Sequence, residues 1–221
     1  KILIMPVSGR SVKKGGKEYY LHSSLGIDKT KKIALQIGSL GEWTMTKFLI
    51  EITRSWLKEW VLVVHSRYGL DQAALPYYEE YKEWDNIYFS LKPTSQPDQL
   101  YEILHSADVG IALYKPLEND IWAGNNIKNI GMASGKIATY LQHGLPVMIN
   151  EIGEMSDHVR STGLGVVVED SKKIDISFTV EDLAMWRKNC FCFFEDRLDL
   201  NYTIRPLIKT IKGLVDPYFI S

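Results

Sequence analysis

The chain has 221 residues, of which 45% are apolar and 24% charged, with a formal net charge of -1. This describes a soluble globular protein with room for one sizeable α/β domain or two small ones. Its basic residues are scattered, which excludes an electrostatic nucleic-acid footprint, and no apolar run approaches the roughly 20 residues needed to cross a bilayer.

The chain opens Lys-Ile-Leu-Ile-Met-Pro, without an initiator methionine or signal peptide, and is expected to be a fragment of a larger protein. Residues 2–5 read as a short strand closed by Pro6, and the Ser/Gly/Lys-rich stretch 8–17 reads as a linker. A short helix over 18–25 ends at Gly26, and Lys31 and Lys32 precede a buried strand over 33–37 that stops at Gly38-Ser39-Leu40-Gly41. A helix over 44–60 is expected next, with Phe48, Ile52 and Leu57 on its core side, then a strand over 61–64 ending at His65-Ser66-Arg67. A helix carrying Tyr77, Tyr78, Tyr81 and Trp84, as core or as a docking face, leads to a strand over 87–89 and a turn at Leu91-Lys92-Pro93.

Helix 99–104 and strand 108–114 follow, then a polar loop over 115–129. After the glycine-rich stretch described below come strand 147–149, a helix over 154–162 stopped by Gly163, strand 164–168, and terminal helices over 182–194 and 204–214. Strands alternating with helices at this spacing predict an α/β fold, a Rossmann-like parallel sheet with helices on both faces. The two cysteines, Cys190 and Cys192, point to different faces of a helix and are expected to be reduced, with no third ligand for zinc.

The stretch 129–150 says most about function. Ser134 is placed as an N-cap, and the small residues Ala133, Ser134 and Gly135 let a ligand approach the unpaired amides of the first turn. Those donors, the positive end of the helix dipole and the Lys136 ammonium converge on one spot suited to a phosphate or diphosphate. An ordinary βα unit is the plainer alternative. A P-loop is excluded, because Gly131 and Gly135 enclose only three residues and Ile137 follows the lysine where a magnesium-binding hydroxyl is needed. Gly38 and Gly41 do not make the dinucleotide-binding glycine pattern either.

In a parallel sheet of this kind ligands bind at the carboxyl ends of the strands, here the loops 38–41, 65–67, 91–93, 114–129 and 133–136. His65 either touches the donor or caps its loop, and Tyr114 and Trp122 either line a sugar pocket or pack as a lid. Glu118 and Asp120 lie in a polar loop and make no Asp-x-Asp motif, so no metal is expected.

Three blocks in this order carry a resemblance: Gly-Ser-Leu at 38–40 closing a strand, Ser-Ala-Asp-Val-Gly-Ile-Ala-Leu-Tyr-Lys-Pro at 106–116, and Ser-Gly-Lys-Ile-Ala-Thr-Tyr-Leu-Gln-His-Gly-Leu-Pro-Val at 134–147. Over residues 30–195 the chain resembles the C-terminal, nucleotide-sugar-binding domain of GT-B glycosyltransferases, in particular the family-4 retaining enzymes of bacterial polysaccharide synthesis. The resemblance implies that residues 1–30 are the end of an acceptor domain and its link, 31–200 the donor-binding domain, and 201–221 a C-terminal helix crossing back towards the missing half.

It also implies that Gly38, Ser39, Ser134, Gly135 and Lys136 hold the donor diphosphate and Thr139 the ribose. Leu91, Lys92 and Pro93 would frame the base, while Asn129, Gly131, Met132 and His65 would lie near the donor sugar. The partner would be a UDP-sugar, or next a GDP-sugar, bound without cofactor or metal, and the enzyme would be a hexosyltransferase feeding a saccharide or lipid-linked acceptor. A fragment of this kind would be inactive alone and cytoplasmic, reaching the inner face of the membrane only through the missing half. A non-catalytic nucleotide-binding module and a sugar-nucleotide epimerase of the same fold are the alternatives.

The departures are specific. Ser39 stands where such enzymes carry arginine, Trp43 or Thr44 where they carry lysine, and Gly131 and Thr139 where they carry two glutamates. Without those groups, donor affinity is expected to suffer unless Lys136 and the helix terminus compensate.

Overall fold

The computed structural model describes residues 5–94, 100–121, 123–169, 174 and 176–215. Trp122, most of the expected strand at 2–5 and the first residue of the expected helix 99–104 lie outside them. Six parallel strands form one sheet: β1 (Lys32–Ile37), β2 (Trp60–His65), β3 (Ile87–Ser90), β4 (Val109–Ala112), β5 (Val147–Asn150) and β6 (Gly165–Val168). The helices are α1 (Tyr20–Leu25), α2 (Thr46–Ile52), α3 (Leu75–Tyr81), α4 (Tyr101–Ser106), α5 (Gly135–Gln142), α6 (Glu154–Thr162), α7 (Val180–Phe193) and α8 (Leu200–Val215).

Strands buried on both faces need apolar residues at successive positions, and successive side chains then enter opposite cores. In β1, Ile33, Leu35 and Ile37 join one core while Ala34 joins the other. In β2, Val61 and Val63 face the first, and Trp60, Leu62 and Val64 the second. In β5, Val147 and Ile149 flank Met148 in the same way.

The strand order is β3-β2-β1-β4-β5-β6, so the winding reverses between β1 and β4. Crossover connections leave those two strands in opposite directions, which opens a crevice beyond their carboxyl ends.

One side chain fixes the helix that borders this crevice. The Tyr140 hydroxyl in α5 accepts from the Ile37 amide at 3.0 Å and donates to the Leu35 carbonyl at 2.9 Å. Its ring lies flat on Gly110 of β4, where an added Cβ would come within 2.6 Å of the ring carbons. Only glycine permits that approach, so α5 sits directly over the β1–β4 gap.

The expected helix over 44–60 is much shorter. Thr44 and Thr46 bond the Gly41 loop and the Gln36 amide, and Met45 between them takes a left-handed conformation with φ 52°, which delays the start. A single 3-10 turn, Thr53–Ser55, ends it, and Trp60 belongs to β2 with 1% exposure. Leu49, Ile50 and Thr53 are buried, the expected Phe48 and Ile52 pack half-buried against the same core, and Leu57 is exposed. Tyr81 is the buried member of the aromatic helix α3; Trp84 lies beyond it in a turn, edge-on to Tyr81 and beneath Arg54.

Residues 9–11 of the expected linker are tied down. The Gly9 amide bonds the Leu198 carbonyl, Ser11 donates from both its amide and its hydroxyl to Asp199, and Gln142 donates to the Arg10 carbonyl. Cys190 is buried and Cys192 exposed, on the two sides of α7.

Candidate functional site

A cleft of about 300 Å³ occupies the crevice between β1 and β4. It brings together Gly38, Ser39, His65, Ser134, Gly135, Lys136 and Thr139 of the sequence-predicted set with Arg67 and Tyr114 of the expected binding loops, and adds Trp43.

At the start of α5, Ser134 is the N-cap, its hydroxyl accepting from the Ile137 amide at 3.2 Å. The same hydroxyl meets the Tyr114 hydroxyl at 2.7 Å, and the Ser134 amide donates to the Gly131 carbonyl at 3.1 Å. With the Ala133 amide also bound, to the Ile130 carbonyl, these two residues shape the helix entry and have no amide left for a ligand. The Gly135 and Lys136 amides are different: neither has a hydrogen bond to an acceptor among the described residues, and Gly135 is exposed with nothing within 4 Å of an added Cβ. Two donors of the helix terminus therefore face the cleft.

The Lys136 ammonium is enclosed in the cleft wall and has no hydrogen-bond partner among the described residues. It lies 5.6 Å from the centre of the Tyr114 ring, a weak cation–π contact. Burial lowers its pKa to about 8. An unpaired buried cation costs stability, and its cost is relieved when an anion arrives. Gly38, at φ 85°, turns the chain out of β1 with the Lys136 stem beside it. Across the cleft, Arg67 is exposed after β2, its guanidinium 5.6 Å from the Tyr68 ring. Trp43 stacks on Tyr114 with centroids 5.7 Å apart and planes 27° from parallel, giving the cleft one flat aromatic wall.

His65 does not offer a free ring nitrogen. It is fully buried, with Nδ1 3.0 Å from the Ser90 hydroxyl and Nε2 3.0 Å from the Thr94 hydroxyl. Burial lowers its pKa to about 4, so it is a neutral strut in the cleft wall, held by two hydroxyls. Gly131 is buried against Ile152 and Met155, the Met132 carbonyl accepts from the Val7 amide, and Asn129 lies beside Gly153. None of the three lines the cleft, and neither do Leu91, Lys92 and Pro93, whose loop runs past Gly69 with Lys92 over Tyr20.

Arg67 belongs to the loop 65–67 already expected at this end of the sheet, whereas Trp43 falls just outside the loop 38–41 and only the fold brings it against Tyr114. Among the described residues no group of three or more His, Cys, Asp or Glu is placed to hold a metal, and no carboxylate lines the cleft.

No family model matches the chain, and no curated protein matches it by sequence. Solved structures do. Sucrose-phosphate synthase from Thermosynechococcus elongatus superposes with a TM-score of 0.68 at 15% identity, over 95% of this chain and 52% of that one. Anabaena Alr3699/HepE in complex with UDP and glucose gives 0.64 at 12% identity, over 87% and 51%. The chain has the fold of the C-terminal half of a GT-B glycosyltransferase. It spans about half the length of those two enzymes, but 84% of it covers 96% of the separately solved C-terminal domain of the group 1 glycosyl transferase LpcC from Francisella tularensis, with a TM-score of 0.57 at 11% identity. The described cleft lies at the switch point of the sheet, and no helix among the described residues is long and apolar enough to cross a membrane.

Proposed function

We propose that the cleft seats the diphosphate of a nucleoside-diphosphate sugar, UDP first and GDP next, and that the chain is the donor half of a glycosyltransferase. The full enzyme would pass a hexose to a saccharide or lipid-linked acceptor in polysaccharide biosynthesis, on the cytoplasmic side where such donors are made. One observation carries this reading: an enclosed, unpartnered Lys136 ammonium beside two open first-turn amides at the sheet's switch point. The HepE structures in complex with UDP and with UDP-glucose support the ligand class.

In this reading Gly135 and Lys136 bind phosphate oxygens through their amides, Lys136 and Arg67 supply the charge, and Gly38 and Ser39 close the other side. Thr139 faces the ribose, and the Trp43–Tyr114 wall gives a flat surface for a ring of the donor. When the glycosidic bond breaks, negative charge grows on the leaving diphosphate, and fixed donors already aimed at it lower the barrier without rearranging. The cations take the place of a metal ion. Among the described residues no carboxylate in the cleft replaces the glutamates that the resemblance would place there, which disfavours an epimerase, since that chemistry needs acid and base groups.

A thermal-shift panel of UDP, GDP, ADP and TDP with their sugars tests the proposal, because a ligand that binds only the folded state raises its melting temperature. A uridine or guanosine diphosphate sugar should stabilise the chain equally with and without EDTA, and the chain alone should transfer nothing. Absence of any nucleotide shift rejects the donor role, collapse on chelation rejects metal independence, and measured turnover by this chain rejects the need for a second domain.

A further inference from the structure

At the opposite edge of the sheet, around the amino ends of β1 and β4, lies a second cavity of about 410 Å³. Among the described residues five cations line it, Lys17, Lys29, Lys31, Lys32 and Arg187, against one carboxylate, Asp108. Asp108 is already committed: it accepts from the Ile33 amide at 2.8 Å and pairs with Lys17 at 2.7 Å. Lys31 and Lys32 each donate to a backbone carbonyl, of Lys58 and Phe178, which anchors their stems and leaves their charge uncancelled. Arg187, half-buried on α7, has no carboxylate at ion-pair distance among the described residues. Burial lowers the pKa of both Lys17 and Arg187, so the cavity holds its cations at a cost. The acids nearest on α7, Glu181 and Asp182, are exposed or engaged in the Thr179 cap and do not line it.

Such an excess of guanidinium and ammonium groups around a concave space matches a tetrahedral oxyanion, for which arginine offers a planar pair of donors. We propose that this cavity is a phosphate-binding site, separate from the diphosphate cleft, with Arg187 and Lys29 as the free cations that close on the ligand. The phosphate belongs either to a soluble phosphate ester or to an anionic lipid headgroup. Exposed Tyr19 and Val180, 43% and 68% accessible, stand at the rim and would meet the apolar boundary of a membrane in the second case.

Backbone-amide NMR titration of the 221-residue chain with inorganic phosphate tests this, in a Lys136→Met background that weakens the first cleft. Amides of Gly15, Gly16, Thr30 and Lys31 should shift and saturate together. Lys29→Glu, at an exposed position that folding tolerates, and Arg187→Gln should each weaken the titration by about tenfold, the worth of one charged hydrogen bond. Lys188→Glu, on the same helix but outside the cavity, should leave it unchanged. Sedimentation with phosphatidylglycerol vesicles, against phosphatidylcholine alone, separates the sources: pelleting that Lys29→Glu abolishes identifies a headgroup, and phosphate shifts without pelleting identify a soluble ester. If phosphate leaves these amides unmoved and vesicles do not pellet the chain, or if Lys188→Glu weakens binding as much as Lys29→Glu, the site does not exist. None of these outcomes bears on the Lys136 cleft.

Discussion

Lys136 carries two opposite demands. Enclosed and unpaired, its ammonium destabilises the free protein; in the proposed donor complex it would meet a diphosphate that offsets that cost. Lys136→Met should therefore lower donor affinity by at least about tenfold while the ligand-free protein melts no earlier than wild type. A variant that loses both would show a structural role instead. Its pKa of about 8 sets a second expectation. Below pH 8 the lysine is already charged and affinity is level; above it, binding must first add a proton, and affinity falls by up to about tenfold per pH unit. Calorimetric titration between pH 7 and pH 9 checks the direction. Sequence marked Lys136 through its place after Ser134-Gly135 but could not show that its amine is enclosed. It left His65 between two roles, and both ring nitrogens lie 3.0 Å from hydroxyls, of Ser90 and Thr94, which no local pattern showed.

Among the elements, α5 and its clamp on the sheet decide where the phosphate donors point. Tyr140→Phe removes a hydroxyl that satisfies the Ile37 amide in a buried strand, and should cost about 1–3 kcal/mol in urea unfolding. Gly110→Ala would push a methyl into the Tyr140 ring and cost about the same through overpacking. Both should also weaken nucleotide binding, since tilting α5 moves the Gly135 and Lys136 amides. The N-cap, the strands and the helix stops at Gly26 and Gly163 were legible in local composition. The helix expected over 44–60 was not, because buried side-chain bonds from Thr44 and Thr46 to loop residues override an amphipathic pattern that looks continuous along the chain.

Across the whole molecule, buried neutral histidines set an acid limit on stability. His65 and His143 both have pKa values lowered from 6.5 to about 4, chiefly by burial, and His105, stacked on Tyr101 near His143, is lowered as well. Above pH 6.5 folded and unfolded chains are both neutral at these rings. Between pH 6.5 and 4 the unfolded chain takes up protons that the folded chain refuses, so stability falls with pH, by at most about 3 kcal/mol for each of His65 and His143, and levels off below pH 4. Melting temperature across pH 4–7 should drop for wild type and drop less for a His143→Gln variant.

The sequence by itself determined the class of fold, the parallel sheet and the helix start capped by Ser134, because strand burial, helix caps and glycine stops are short-range properties written in neighbouring residues. Which cations share the cleft, which loop residues stay outside it, and where a second basic cavity opens were decided only by the tertiary structure. The reason is topological: the order β3-β2-β1-β4-β5-β6 brings Arg67, Trp43, Tyr114 and Lys136 to one end of the sheet and Lys17, Lys29, Asp108 and Arg187 to the other, over separations that no local pattern spans.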